Sequence, residues 1–127
     1  MEKYLSLLNK LFSQYKEIKL VYLFGSRADN KSSPRSDYDF AVYFDEKTGS
    51  AKRFSIRLML ITELMKIFKT DKIDVVVLND KLNPLLKYQV IRHGRIIFER
   101  KPFKLILEPS VYNEFFDYQI FSKYHNL

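Results

Sequence analysis

Asp37 and Asp39 stand two residues apart at the head of the apolar run Phe40-Ala41-Val42-Tyr43-Phe44. On a strand, positions i and i+2 point to the same face, so the two carboxylates share one site. Carboxylates that close repel, and a hard divalent cation with oxygen ligands relieves the repulsion. Upstream, Gly25-Ser26 ends another apolar run (Leu20, Val21, Leu23, Phe24), and ten residues separate it from Asp37. A Gly-Ser turn offers backbone N–H groups to a phosphate. Asp74 sits near the start of the apolar stretch Lys72-Ile73-Asp74-Val75-Val76-Val77-Leu78, where an unpaired charge is costly. It is the candidate for the third carboxylate that two-metal phosphoryl chemistry uses, the other reading being a sheet-edge aspartate facing water. Asp45, Asp71 and Asp80 fall in turns and read as solvated or capping residues. The pattern points to metal-dependent phosphoryl or nucleotidyl transfer.

The elements that must position these groups follow from periodicity. Leu5, Leu8, Leu11, Phe12 and Tyr15 have helical spacing, and Ile18-Phe24 reads as a mostly buried strand. Residues 25–36 are loop, Asp37-Phe44 is the second strand, and Asp45-Ser50 turns around Gly49. A long helix is predicted over Ala51 to Phe68, with Phe54, Leu58, Ile61, Met65 and Phe68 marking its inward face and Leu60, Leu64 and Ile67 widening the stripe. Lys72-Leu78 is a third, β-branched strand. Asn83-Pro84 opens a helix that ends at His93 with Gly94 as its cap, and Arg95-Glu99 is the last strand. The order α-β-β-α-β-α-β predicts an α/β (α+β) domain over residues 1–100, a small mixed sheet with helices packed on one face. A C-terminal helical tail over 101–127 is apolar nearly all round, and it reads either as packing on its own core or as docking a partner.

Composition narrows the class. A chain of 127 residues, 46% hydrophobic and 16% aromatic, supports one folded core. No uncharged apolar run reaches membrane-spanning length, and the start of the chain has no signal-peptide core, so a cytoplasmic location is expected. The absence of cysteine excludes disulfides and thiolate metal sites. The net charge of +7 is spread along the chain without a basic block, which reads as a solvated surface rather than a nucleic-acid interface. Such a field also attracts a nucleoside triphosphate or an acidic partner.

The phrasing Phe24-Gly25-Ser26-Arg27-Ala28 … Ser36-Asp37-Tyr38-Asp39-Phe40-Ala41-Val42, with Asp74 on a later strand, resembles the nucleotidyltransferase superfamily that includes DNA polymerase beta. Its compact length is most similar to the minimal nucleotidyltransferase (MNT) proteins, antitoxin partners of HEPN-domain ribonuclease toxins. The resemblance covers about residues 1–100 and implies the nucleotidyltransferase fold. It implies that Gly25 and Ser26 hold the triphosphate of ATP, with Arg27 a further phosphate contact. It also implies that Asp37 and Asp39 bind two magnesium ions, and that Asp74 holds one of them while activating the attacking hydroxyl. The reaction implied is transfer of AMP onto a tyrosine of the toxin, so the acceptor lies on the partner. Many relatives have Gly near position 30; Asn30 stands here, a residue tolerant of positive φ.

Other chemistries fail on the sequence. Three glycines, Gly25, Gly49 and Gly94, forbid the G-x-x-x-x-G-K-[ST] and G-x-G-x-x-G phosphate loops. No nucleophile elbow surrounds any serine. Neither His93 nor His125 has an Arg four to six residues ahead, as a HEPN ribonuclease would need. The alternatives still open are an antitoxin that works by binding alone and a small-molecule, antibiotic-type nucleotidyltransferase.

Overall fold

A computed structural model of the protein describes residues 1–28 and 36–125; Asn30 lies outside the described residues. After one 3-10 turn the elements are α1 (Leu5–Ser13), β1 (Ile18–Phe24), β2 (Tyr38–Phe44), α2 (Ser50–Phe68), β3 (Ile73–Val77), α3 (Pro84–His93), β4 (Arg95–Glu99) and α4 (Phe103–His125). The sheet order is β3-β2-β1-β4, with β1 antiparallel to both its neighbours and β2 parallel to β3. The parallel pair is joined through α2, as a parallel connection requires a crossover. This is the mixed sheet expected from the sequence.

Helices cover both faces of the sheet, which corrects the expectation of one. Leu8, Leu11 and Phe12 of α1 and Ile56, Leu60, Leu64 and Phe68 of α2 pack on Val21, Leu23, Phe40, Val42, Phe44, Val75 and Val77. On the opposite face, Val90 and Ile91 of α3 and Leu107 and Val111 of α4 pack on Leu20, Tyr22, Ala41 and Tyr43. The cause lies in the strands: β1 and β2 are apolar at successive positions rather than alternate ones, so neither face tolerates water. The inward stripe of α2 also differs from expectation. Phe54, Leu58 and Met65 are exposed, and Ile56, Leu60 and Leu64 join Phe68 in the core.

Polar groups fix the ends of these elements. Asn83 Oδ1 accepts from the Leu85 N–H at 2.8 Å and caps α3, with Pro84 in its first turn. Asn79 continues the sheet with a side chain: its Oδ1 accepts from the Phe44 N–H (2.8 Å) and its Nδ2 donates to the Phe44 carbonyl (2.9 Å). Gly94 caps α3, but with extended backbone. A Cβ there would lie 2.3 Å from the Val90 carbonyl oxygen and 3.3 Å from that of Leu23, so close approach is what requires glycine.

The tail forms α4, whose first half packs on the core. Leu107, Val111 and Phe115 are buried at one-turn spacing, Tyr88 of α3 stacks on Phe115 (centroids 4.0 Å apart), and Glu108 accepts from the Tyr22 hydroxyl at 2.7 Å. Beyond them Phe116, Ile120, Phe121 and Tyr124 are exposed.

Candidate active site

The chain leaves β1 at Phe24 and turns sharply through Gly25, whose φ is +75°, into one 3-10 turn over Gly25–Arg27. Only glycine adopts that φ without strain. Here its missing side chain matters as well, since a Cβ on Gly25 would lie 2.7 Å from Asp39 Oδ2. Asp39 is the register partner of Phe24 across the antiparallel pair and of Asp74 across the parallel pair. One carboxylate thus stands beside the Gly-Ser turn on one side and the Asp74 strand on the other. Asp39 and Asp74 alternate with the buried Phe40 and Val75, so they point to the α3/α4 face.

Electrostatics ties the three acids together. Partial burial pushes the Asp39 carboxyl above the usual carboxylate range, and the charges of Asp74 and Asp37 push it further. Asp37 and Asp74 are themselves exposed to solvent. The site therefore gathers negative charge around its most buried member. Among the described residues no group of three or more acids or histidines closes around one metal position. The donor set nevertheless fits magnesium, which takes hard oxygen ligands, commonly one or two carboxylates completed by water and substrate phosphates.

Gly25, Asp37, Asp39 and Asp74 are brought together, and Ser26 sits half-buried in the adjoining turn. Arg27 reaches the start of β2: its guanidinium lies 4.1 Å from the centroid of the Tyr38 ring, and its Nη2 donates to the Ser36 carbonyl at 3.1 Å. Tyr38 in turn stacks on Phe68 at 4.1 Å, which anchors the start of β2 to α2. Sequence reasoning missed Gln89 and His93. With Phe24 and Gly25 they line a hollow of about 410 Å3 beside the carboxylates. Only their one-turn spacing on α3 could have signalled them. A larger depression of about 570 Å3, bordered by Lys16, Lys19, Lys47 and Lys52 with Glu17 and Asp45, lies at the other end of β1 and β2.

A Gly-Ser turn and paired strand aspartates on a mixed sheet define the class of nucleotidyltransferases. The family model described as polymerase beta, nucleotidyltransferase, matches residues 7–103, and the chain belongs to that family. It is similar to the protein adenylyltransferase MntA of Aphanizomenon flos-aquae, 34% identical over 95 residues, covering 71% of this chain and 63% of that protein. The chain thus spans less than two thirds of this curated relative.

Among solved structures it resembles a chain of a toxin-antitoxin structure with AMP-PNP, with a TM-score of 0.77, 20% identity, and coverage of 94% of this chain and 92% of that one. It also resembles a chain of the tri-AMPylated Shewanella oneidensis HEPN toxin in complex with MNT antitoxin, with a TM-score of 0.71, 19% identity, and coverage of 96% and 92%. These neighbours establish the fold.

Proposed function

We propose that this chain is an antitoxin-type protein adenylyltransferase that transfers AMP from ATP to a tyrosine of a cognate HEPN ribonuclease toxin and so neutralises it. The observation that carries this reading is the seating of Asp39, beside the cradle at Gly25 and in register with Asp74. Likeness to a curated protein adenylyltransferase supports the choice of acceptor class. In this reading Gly25 and Ser26 hold the triphosphate through backbone N–H groups and a hydroxyl, with Arg27 alongside them. Asp37, Asp39 and Asp74 would hold two magnesium ions, which when bound neutralise phosphate charge in the transition state. Asp74 takes up the proton of the acceptor hydroxyl as its oxygen attacks the α-phosphorus. The bond from the α-phosphorus to the bridging oxygen breaks, pyrophosphate leaves, and AMP remains on the tyrosine.

The toxin supplies the acceptor, and the exposed outer half of α4, the tail beyond the 1–100 domain, is the surface proposed to dock it. No helix among the described residues is long and apolar enough to cross a membrane, which fits action on a cytoplasmic toxin.

The test is incubation with α-labelled ATP, magnesium and the HEPN partner. Label should move to the partner and be lost in Asp37→Ala/Asp39→Ala. A wild-type chain that silences the partner without labelling it would mean neutralisation by contact alone.

A further inference from the structure

The depression of about 570 Å3 at the far end of β1 and β2 stands apart from the chemistry at Gly25. Lys19, on its border, and Gly25 are six positions apart along β1, which puts about 20 Å between them. Lys16, Lys19, Lys47 and Lys52 ring the depression, against two acids, Glu17 and Asp45. Lys19 is held in place: its Nζ donates to the Lys16 carbonyl at 2.9 Å and lies 5.1 Å from the centroid of the Phe103 ring. Its approach to Asp45, 4.0 Å, and that of Lys52 to Glu17, 3.9 Å, are long and partly solvated, so they yield readily to a stronger anion. Lys16 and Lys47 have no acidic partner among the described residues.

Two further features border the same depression. Thr48 is 8% exposed, yet its hydroxyl has no hydrogen-bond partner among the described residues. A buried hydroxyl without a partner is costly, and a ligand oxygen in the depression would complete it. α2 opens at Gly49, also on the border. No side chain caps this helix, and its first turn carries no acid. Its backbone ladder starts with the Arg53 N–H donating to the Gly49 carbonyl at 3.0 Å, which leaves the earlier N–H groups without a partner inside the helix. A helix of 19 residues therefore presents its positive end here uncovered.

This chemistry fits phosphate. Ammonium groups attract it as point charges, and a hydroxyl and helix N–H groups donate to its oxygens. Four lysines against two acids leave an excess of positive charge that suits linked phosphates. A nucleic-acid strand fits less well, because the two carboxylates would repel its backbone and no lining residue is aromatic for a base to stack on. We infer that this depression binds the diphosphate group of a small molecule, seated among the four lysines on the open end of α2.

Amide NMR spectra of the full chain, titrated with inorganic pyrophosphate in magnesium-free buffer, test this. Saturable shifts are expected at residues 47–53, with a Kd below about 1 mM. ADP in the same buffer separates the sources of the group: tighter binding than pyrophosphate at these amides assigns the site to a nucleotide, and equal or weaker binding to the free ion. Lys16→Ala/Lys47→Ala should weaken binding at least about tenfold. Lys66→Ala/Lys123→Ala removes the same charge from exposed positions elsewhere and should weaken it less than about twofold. Gly49→Asp separates binding from folding. A Cβ there meets nothing within 4 Å, and aspartate caps a helix better than glycine, so the melting temperature should hold or rise while binding is lost.

Shifts confined to Gly25–Arg27, equal losses in the two lysine pairs, or a Gly49→Asp chain that binds as the wild type each overturn the inference. So does a single-stranded oligonucleotide that saturates the same amides more tightly than pyrophosphate, which would make this face a nucleic-acid contact. Nucleotidyl transfer stands in all of these outcomes.

Discussion

Replacing Gly25 with alanine places a methyl at φ +75°, 2.7 Å from Asp39 Oδ2. Two costs follow. A left-handed backbone costs a side-chain-bearing residue about 1–2 kcal/mol. Turning the Asp39 carboxylate away from its rotamer adds about 0.5–1.5 kcal/mol. Against these, alanine restricts the unfolded chain and returns about 0.4–1 kcal/mol. The net loss is about 0.5–3 kcal/mol, or about 2–12 °C in Tm for a domain of this size. Nucleotidyl transfer should fall about a hundredfold, because a displacement of about 1 Å is enough for that. The decisive assay is a double-mutant cycle by chemical denaturation. In an Asp39→Ala background the new methyl meets no carboxylate, so Gly25→Ala should cost about 1 kcal/mol less there. Equal costs in the two backgrounds, within about 0.3 kcal/mol, would refute the contact and leave backbone strain as the whole effect.

Burial, and then the bond to Glu108, hold the Tyr22 phenol well above its ordinary value near 10. A raised folded-state value means that stability is complete below about pH 10 and declines as pH climbs past the point where the unfolded phenol ionises. Tyr22→Phe should flatten that decline, by up to about 1.4 kcal/mol per pH unit, in denaturation midpoints followed from pH 8 to 11. Asn79→Ala should cost about 1–3 kcal/mol in urea unfolding, since it strips two partners from the Phe44 backbone; a neutral result would mean water replaces both. Leu107→Ala should cost about 2–5 kcal/mol, while Phe121→Ala should stay within about 0.5 kcal/mol, which separates the core half of α4 from its outer half in thermal melts.

That Gly25, Asp39 and Asp74 would be neighbours was legible because their residue types and spacing are so constrained. Two aspartates at strand spacing and a Gly-Ser turn leave few alternatives, and Asp74 followed from the cost of charge in an apolar strand. The strands, too, announced themselves through runs such as Phe40 to Phe44. What those runs said about covering both faces was equally present but went unused: residues apolar at consecutive positions need two layers, and α3 and the first half of α4 supply the second. Periodicity failed on α2 because apolar residues recur on several of its sides, and spacing cannot tell the Ile56-Leu60-Leu64-Phe68 row from the Phe54-Leu58-Met65 row. Only packing against β2 and β3 decides between them. Asn79 was silent because its role depends on distant chain, the backbone of Phe44.

The in-register pair Asp39–Asp74 has a consequence for how long the protein survives. Its two acids come from strands on either side of α2, and β3 is an edge strand of the sheet. The seam between β2 and β3 carries like charges and closes only after a long crossover, so in the empty chain it is the natural place for the sheet to peel. A nucleotide and its cation bound across that seam would act as a clasp. At a hundredfold excess over its dissociation constant the ligand adds about 2.7 kcal/mol to native stability. Bound ligand would therefore make the β2–β3 seam harder to open and slow proteolysis at β3 relative to the ligand-free chain.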